Sequence, residues 1–291
     1  MLTMTSLTLY PLQYEPLVRH ALEEDLGRAG DLTTNAIVPA DAQASGCLVA
    51  RREGCIAGLE VAVSAFRLLD PHLTVVFHCH DGDVVDAAET LAELRGAAQA
   101  LLVAERTALN FLGHLSGIAT ATRRMVDAVQ GFPTRVTCTR KTLPGLRALE
   151  KYAIRAGGGV NHRFGLDDAV LIKDNHIILA GSIKEAVRRV RDVVGHLVKI
   201  EVEVDTLEQL KEALLCPIDA VLLDNMSAAQ LKEAVRMVDG RVITEASGGI
   251  TLETARDIAA AGVHLLSAGW LTHSAPALDV ALDLEDLAAL Q

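Results

Sequence analysis

From Leu166 onward the chain repeats a short apolar block, a turn and a helix-opening signal. Ala169–Ile172, Lys199–Val204, Asp219–Leu223, Arg241–Glu245 and Val263–Ser267 read as buried strands, and Thr134–Cys138 supplies one more ahead of them. Ser182–Glu185, Thr206–Gln209 and Ser227–Gln230 each place Ser or Thr three residues before Glu or Gln, the spacing of a capping box, and Thr251–Ala261 reads as a further helix. Alternating units joined by short loops predict a parallel sheet covered by helices. Periodicity alone allows an open doubly wound sheet or a closed barrel. The polar residues favour the barrel. Each apolar strand is followed by a chemically able group: Arg140 and Lys141, Lys173, Glu203, Asp224, Ser247-Gly248-Gly249, then Ser267 and Gly269. In an α/β barrel all strand C-termini open on one rim, which would gather these groups.

The residues ahead of this series mix helices (Pro16–Leu26, Leu59–Leu69) with alternating strands (Ala44–Arg52, Leu73–Cys79, Thr90–Leu94), the α+β pattern of a separate domain. A long helical stretch, Ala98–Val129, joins the halves, with Ser116-Gly117 as a candidate break or boundary. The 291 residues, 50% of them hydrophobic, suffice for one large core or two moderate ones. No run approaches the ~20 apolar residues of a membrane span, and the start lacks a basic segment followed by an apolar one, so the expectation is a soluble cytoplasmic protein. The five cysteines are odd in number, scattered and without a CxxC pair, which argues for reduced, mostly buried thiols.

Positive charge is concentrated against this background. The formal net charge is -11, yet Arg135 to Lys173 holds eight Lys and Arg against three Asp and Glu. Arg140, Lys141, His162, Arg163 and Lys173 sit at strand ends and beside the glycine triplet 157–159, not along one helix face. Arginine binds a carboxylate through a planar fork and lysine acts as a point charge, so this set suits a small ligand with two carboxylates. Arg147, Lys151 and Arg155, spaced by four on a predicted helix, fit a solvated face instead. The overall acidity and 3% aromatic content argue against nucleic-acid binding.

Two further groups belong to the same rim. Ser247-Gly248-Gly249 precedes the helix at Thr251 and is echoed by Ser267-Ala268-Gly269, a pattern that lets backbone N–H groups approach a phosphate. Barrels often bind phosphate at their last two βα loops. Glu203 and Asp224 end successive strands and could place Mg²⁺ or hydrogen-bond ribose hydroxyls; Glu201 shares the residue type and parity of Glu203, and spacing does not choose between them. His78 and His80 share a strand face without a third ligand in register, which favours a solvent-facing pair over a metal site. No GxSxG elbow supports a serine hydrolase.

These residues resemble the quinolinate phosphoribosyltransferase family (nicotinate-nucleotide pyrophosphorylase, carboxylating). The matching stretches run in order from Glu24-Asp25 and Gly30–Thr34 through Glu105–Asn110, Leu115–Thr120, Thr139–Thr142, Asn161-His162-Arg163 and Leu171–His176, then Glu201–Val204, Leu223-Asp224-Asn225, Ser247-Gly248-Gly249 and Leu271–Ser274. The resemblance implies an N-terminal α/β sandwich domain (1–117), a C-terminal, partly open α/β barrel of the type II phosphoribosyltransferase kind (118–274), and a segment 275–291 returning to the first domain. It implies a homodimer with shared active sites, Arg106 entering the partner's site, and leaves assembly into a hexamer open. Arg140, Lys141, His162, Arg163 and Lys173 match the family's quinolinate-binding and catalytic cluster. Glu203 and Asp224 match its acidic pair near ribose and Mg²⁺, which separates Glu203 from Glu201. Ser247, Gly248, Gly249, Gly269 and His273 match its phosphate region, and Ser267 lies on the same rim. Leu143, Val160 and Trp270 depart from the family form, and Trp270 beside the phosphate loop would narrow it.

The activity so implied joins quinolinate to 5-phosphoribosyl 1-pyrophosphate with loss of pyrophosphate and CO₂, giving nicotinate mononucleotide for NAD biosynthesis, with Lys141 as the candidate for the decarboxylation step. Two rivals remain at this level. The molybdenum-transport-linked paralogue shares the fold without the full cationic set, and a non-catalytic phosphosugar-binding barrel would need the glycine loops but not the clamp.

Overall fold

The computed structural model describes residues 8–285, so residues 286–291 of the expected returning segment lie outside the described residues. The chain divides into two compact units. The first takes residues up to Arg123, Pro144–Gly158 and those from Ser274; the second takes Arg124–Leu143 and Gly159–His273. These units differ from the partition expected at 117/118, because 118–123 and 144–158 group with the first unit.

In the first unit, α1 (Pro11–Leu26) and α2 (Leu32–Ile37) precede β1 (Gln43–Ala50), β2 (Gly54–Cys55), α3 (Leu59–Leu69), β3 (Thr74–Phe77), β4 (Val84–Val85) and β5 (Thr90–Ala97). Then comes α4 (Ala98–Ala128), whose last residues belong to the second unit, and later α5 (Arg147–Ala156). The final strand is numbered β12 (Val280–Leu284), and the sheet order is β12-β1-β5-β3, with every pairing antiparallel. Helix α3 buries Val61, Ala62, Val63, Ala65 and Phe66, a near-continuous apolar run that requires cover on almost all sides.

Three local expectations change in this unit. Helix α1 begins at Pro11 rather than Pro16. Proline fits the first turn, and Pro16 in the interior withholds a hydrogen bond from Leu12, which is 90% exposed. Helix α4 runs through Ser116-Gly117 without a break. Gly117 is small because a Cβ there would collide with the Pro276 carbonyl, and one on Gly113 would meet the Leu278 carbonyl at 2.9 Å. The Arg147, Lys151, Arg155 row is not a solvated face, since Lys151 is 1% exposed.

In the second unit the parallel sheet has the order β6-β11-β10-β9-β8-β7, built from β6 (Arg135–Thr137), β7 (Val170–Ile172), β8 (Ile200–Val204), β9 (Ala220–Asp224), β10 (Ile243–Ser247) and β11 (Leu265–Ser267). Val160 bridges in parallel to Thr137. Helices α6 (Asp174–Ala180) and α7 (Ile183–Arg191) both follow β7, and α8 (Leu207–Ala213), α9 (Ala228–Val238), α10 (Leu252–Ala260) and α11 (Trp270–His273) follow β8 to β11 in turn. The result is a partly open α/β barrel. Its helix starts obey the local code: the Ser182, Thr206 and Ser227 hydroxyls accept from the N–H groups of Glu185, Gln209 and Gln230 at 3.1, 3.2 and 3.4 Å. Ile200, Val202 and Val204 are buried, which sets Glu201 and Glu203 together on the other face of β8.

Candidate active site

The β6, β7 and β8–β11 C-termini bring the expected groups to two cavities of the second unit, of about 400 and 430 Å³. The first is lined by Arg140, Lys141, His162, Arg163 and Lys173, with Glu203, Asp224 and Glu245. The second is lined by Ser247, Gly248, Gly249, Ser267, Gly269 and His273, with Asn225 and Trp270. Lys141 and Asp224 line both, so they stand between the cationic cavity and the glycine loops.

The turn after β6 presents Arg140 and Lys141 together. Thr139 Oγ1 accepts from the Lys141 N–H at 3.0 Å, and the Thr142 N–H donates to the Arg140 carbonyl at 2.9 Å. Gly269 leaves room beside them, since a Cβ there would meet Lys141 Cδ at 2.9 Å and push that side chain aside. Arg163 is fixed from its guanidinium by an Nη1 bond to the Ala169 carbonyl at 3.1 Å. The loop beyond it is shaped by Asp168, which accepts from the Phe164 and Gly165 N–H groups at 2.6 and 2.9 Å. Lys173 caps α6 through its backbone, its N–H donating to His176 Nδ1 at 2.9 Å, while its side chain reaches Glu203 Oε2 at 2.7 Å.

Two partly buried guanidinium groups set the electrostatics of the first cavity. Among the described residues, Arg140 Nε and Arg163 Nε are buried without a hydrogen-bond partner, an unfavourable arrangement that an acceptor would relieve. Burial, and then the neighbouring Arg140 charge, holds the Arg163 guanidinium below its ordinary value.

On the glycine side, Gly248 and Gly249 adopt φ of 95° and 60°. A Cβ on Gly248 would collide with the Asn225 amide oxygen. Asn225 itself has φ 53°, gives its N–H to the Ser247 carbonyl at 3.0 Å and donates from Nδ2 to Asp224 Oδ2 at 2.6 Å, tying the carboxylate to the loop. Trp270 lines this cavity and also braces it, since its indole N–H donates to the Ile250 carbonyl at 2.9 Å.

Sequence reasoning missed the carboxylate cluster around His162. His162 Nε2 lies 2.9 Å from Glu201 Oε2 and 3.8 Å from Glu245 Oε1, and the three ligand-type atoms fall within 4.8 Å of one another. Glu245 is 2% exposed and its Oε1 has no hydrogen-bond partner. Burial, and then Glu201 beside it, pushes the Glu245 carboxyl up to about 7, with His162 and Ser267 opposing. The available signal was parity: Glu245 shares a strand face with Ser247, as Glu201 does with Glu203. Arg106 lies elsewhere, in a cavity of the first unit with Glu24, Asp25, Asn110 and His114. His78 pairs with Glu93 at 2.8 Å on the exposed surface of that unit.

Comparison with known proteins identifies the family. The family model described as quinolinate phosphoribosyl transferase, C-terminal domain, matches residues 118–283, and the corresponding N-terminal domain matches residues 31–116. The chain is 45% identical over 273 residues to a probable nicotinate-nucleotide pyrophosphorylase [carboxylating] of Bacillus subtilis (strain 168), covering 94% of each chain. It is 47% identical over 275 residues to the nicotinate-nucleotide pyrophosphorylase [carboxylating] of Mycobacterium leprae (strain TN), covering 92% of this chain and 95% of that one. The structure of NadC from Streptococcus pyogenes superposes with a TM-score of 0.93 at 40% identity, covering 96% and 99% of the two chains. Matches of this extent in both halves mean that the chain belongs to the quinolinate phosphoribosyltransferase family.

Proposed function

We propose that the protein transfers phosphoribosyl from 5-phosphoribosyl 1-pyrophosphate to quinolinate with decarboxylation, releasing pyrophosphate and CO₂ and forming nicotinate mononucleotide. The observation that carries this reading is the pair of buried, unmatched guanidinium N–H groups of Arg140 and Arg163 in a cavity that also holds Lys141 and Lys173. Two planar forks and two ammonium groups suit the two ring carboxylates of the substrate.

Each part of the site then has a task. Arg140, Arg163 and Lys173 hold the ring so that its nitrogen faces the ribose C1. Ser247, Gly248, Gly249, Ser267, Gly269 and His273 receive the 5-phosphate. Lys141, lining both cavities, stands where the two substrates meet. When the ring nitrogen bonds to C1, pyrophosphate leaves with the C1–O electron pair and the ring becomes a pyridinium. The 2-carboxylate then departs as CO₂, its bonding pair passes into the ring, and a proton replaces it at that carbon. Lys141 is placed to stabilise the charge of this step.

Glu203 and Asp224 are an oxygen-donor pair on one cavity wall, which fits the one or two carboxylates that Mg²⁺ takes alongside substrate phosphates. Bound there, Mg²⁺ would neutralise charge on the departing pyrophosphate. The same reading includes a homodimer with Arg106 supplied to the partner subunit's site, supported by the family resemblance and by the position of Arg106 on an open cavity of its own unit.

The test is turnover. Protein supplied with Mg²⁺ and 5-phosphoribosyl 1-pyrophosphate should form nicotinate mononucleotide and CO₂ from quinolinate and form none from nicotinate. Folded protein that binds the phosphosugar without turning over either ring would remove the proposal.

A further inference from the structure

His162 lines the cationic cavity, yet both ring nitrogens are engaged within the protein. The backbone N–H of Arg163 donates to Nδ1 at 2.8 Å. A donor at that distance needs the nitrogen lone pair, so the ring proton sits on Nε2. Nε2 then donates to Glu201 Oε2 at 2.9 Å, with Glu245 Oε1 3.8 Å from the same nitrogen. His162 and Glu201 side chains are each 13% exposed and Glu245 2%, so this edge of the ring faces two carboxylates and not open space. An imidazole in this tautomer has no second N–H for a substrate carboxylate. The Nε2 proton would also have to be displaced before the three groups could share a metal ion.

We propose, on the basis of the quinolinate reading above, that His162 is a positioning residue for Arg163: Glu201 fixes the ring and its tautomer, and Nδ1 fixes the Arg163 main chain. Arg163 is thereby held at both ends, by His162 at its backbone N–H and by the Ala169 carbonyl at Nη1, with its unmatched Nε between them. Glu201, which the family pattern sets aside in favour of Glu203, becomes part of the dicarboxylate clamp by acting through two other residues.

The assignment makes opposite demands on similar substitutions. Asparagine at 162 can put an oxygen where Nδ1 stands. Asp174 already accepts from the next residue's N–H at 2.7 Å, so a short side chain can make this bond. Glutamine at 162 moves its amide out toward the Nε2 position and leaves the Arg163 N–H without that acceptor. The experiment measures quinolinate affinity by calorimetry, and KM for both substrates, for the wild type, His162→Asn, His162→Gln and Glu201→Met, with thermal melts to confirm folding. His162→Asn should stay within about threefold of the wild type for quinolinate, while His162→Gln and Glu201→Met should each weaken it roughly tenfold with an unchanged KM for the phosphosugar. The direct-ligand alternative predicts equal losses in the Asn and Gln variants. It also predicts that Glu201→Met, which removes a negative charge near a dianion, would bind quinolinate as tightly as the wild type or tighter. Either result overturns the assignment alone. Absence of quinolinate binding by the wild type overturns the functional reading and the assignment with it.

Discussion

Lys173 Nζ and Glu203 Oε2 stand 2.7 Å apart, so one cation of the clamp is already paired with a rim carboxylate on the same cavity wall. An arriving ring carboxylate competes with Glu203 for that ammonium group. Glu203→Gln should therefore leave quinolinate affinity unchanged or raised while lowering kcat by ~10²-fold through loss of charge near the ribose. Calorimetry beside steady-state kinetics checks this, and a parallel fall in affinity and kcat would contradict it.

Arg140 lacks such a partner at Nε. Truncating one side of a desolvated charge pair costs about 2–5 kcal/mol, so Arg140→Ala should lower kcat/KM for quinolinate by roughly 30-fold or more. The KM for 5-phosphoribosyl 1-pyrophosphate should change little. Unaltered turnover would end the dicarboxylate-clamp account.

The glycine side separates from the cationic side in the same way. Gly248→Ala places a methyl group against Asn225 at φ 95°, and Trp270→Phe removes the N–H that braces the Ile250 carbonyl. Both should raise KM for the phosphosugar and spare quinolinate affinity, with roughly fivefold expected for Trp270→Phe, the size of one hydrogen bond. Initial-rate measurements varying each substrate in turn decide it.

Glu245 carries a pH signature of stability. Its carboxyl titrates at about 7 when folded, faced by Glu201, His162 and Ser267, against ~4.3 in an unfolded chain. Between these values the unfolded chain loses a proton that the folded protein keeps, so this group destabilises the fold increasingly as pH rises toward 7. Glu245→Gln should therefore raise Tm by a margin that is absent only well below the unfolded carboxyl's value, grows through pH 6 and levels off above pH 7. A margin that is constant with pH would refute the buried carboxyl as its cause.

Arg106→Ala and Lys141→Ala should each be inactive alone. If one subunit lends Arg106 to its partner's site, mixing the two variants under conditions of subunit exchange restores activity at sites that combine two intact contributions. No recovery, with exchange shown by mass, would place Arg106 in its own subunit's chemistry.

The parts of this molecule legible in the sequence are those that local rules determine. The Ser182, Thr206 and Ser227 caps could be read because each depends on residues three apart, and the rim groups because each ends an apolar block. Gly117 misleads for the opposite reason: its cause is Pro276, far along the chain, whose carbonyl leaves no room for a side chain. Lys151 reads as a surface residue by helical spacing and is buried by tertiary packing. Glu245 sits in a buried strand with no charged neighbour in sequence there, and only its position beside His162 and Glu201 gives it a meaning. Arg106 shows the remaining limit, because it lines a cavity of the first unit and the spacing of the barrel's rim residues says nothing of it.

The place of β12 sets an order of events. Strand β1 pairs with β5 on one edge and with β12 on the other, Gly46 opposite Leu284, while all six barrel strands lie between β5 and β12 in the chain. During synthesis, which runs from the N-terminus, most of the first unit emerges ahead of the barrel but keeps an open strand edge until β12 leaves the ribosome. The sheet begun ahead of the barrel is therefore completed after it, and a chain stopped after the barrel would still expose the β1 edge to other chains.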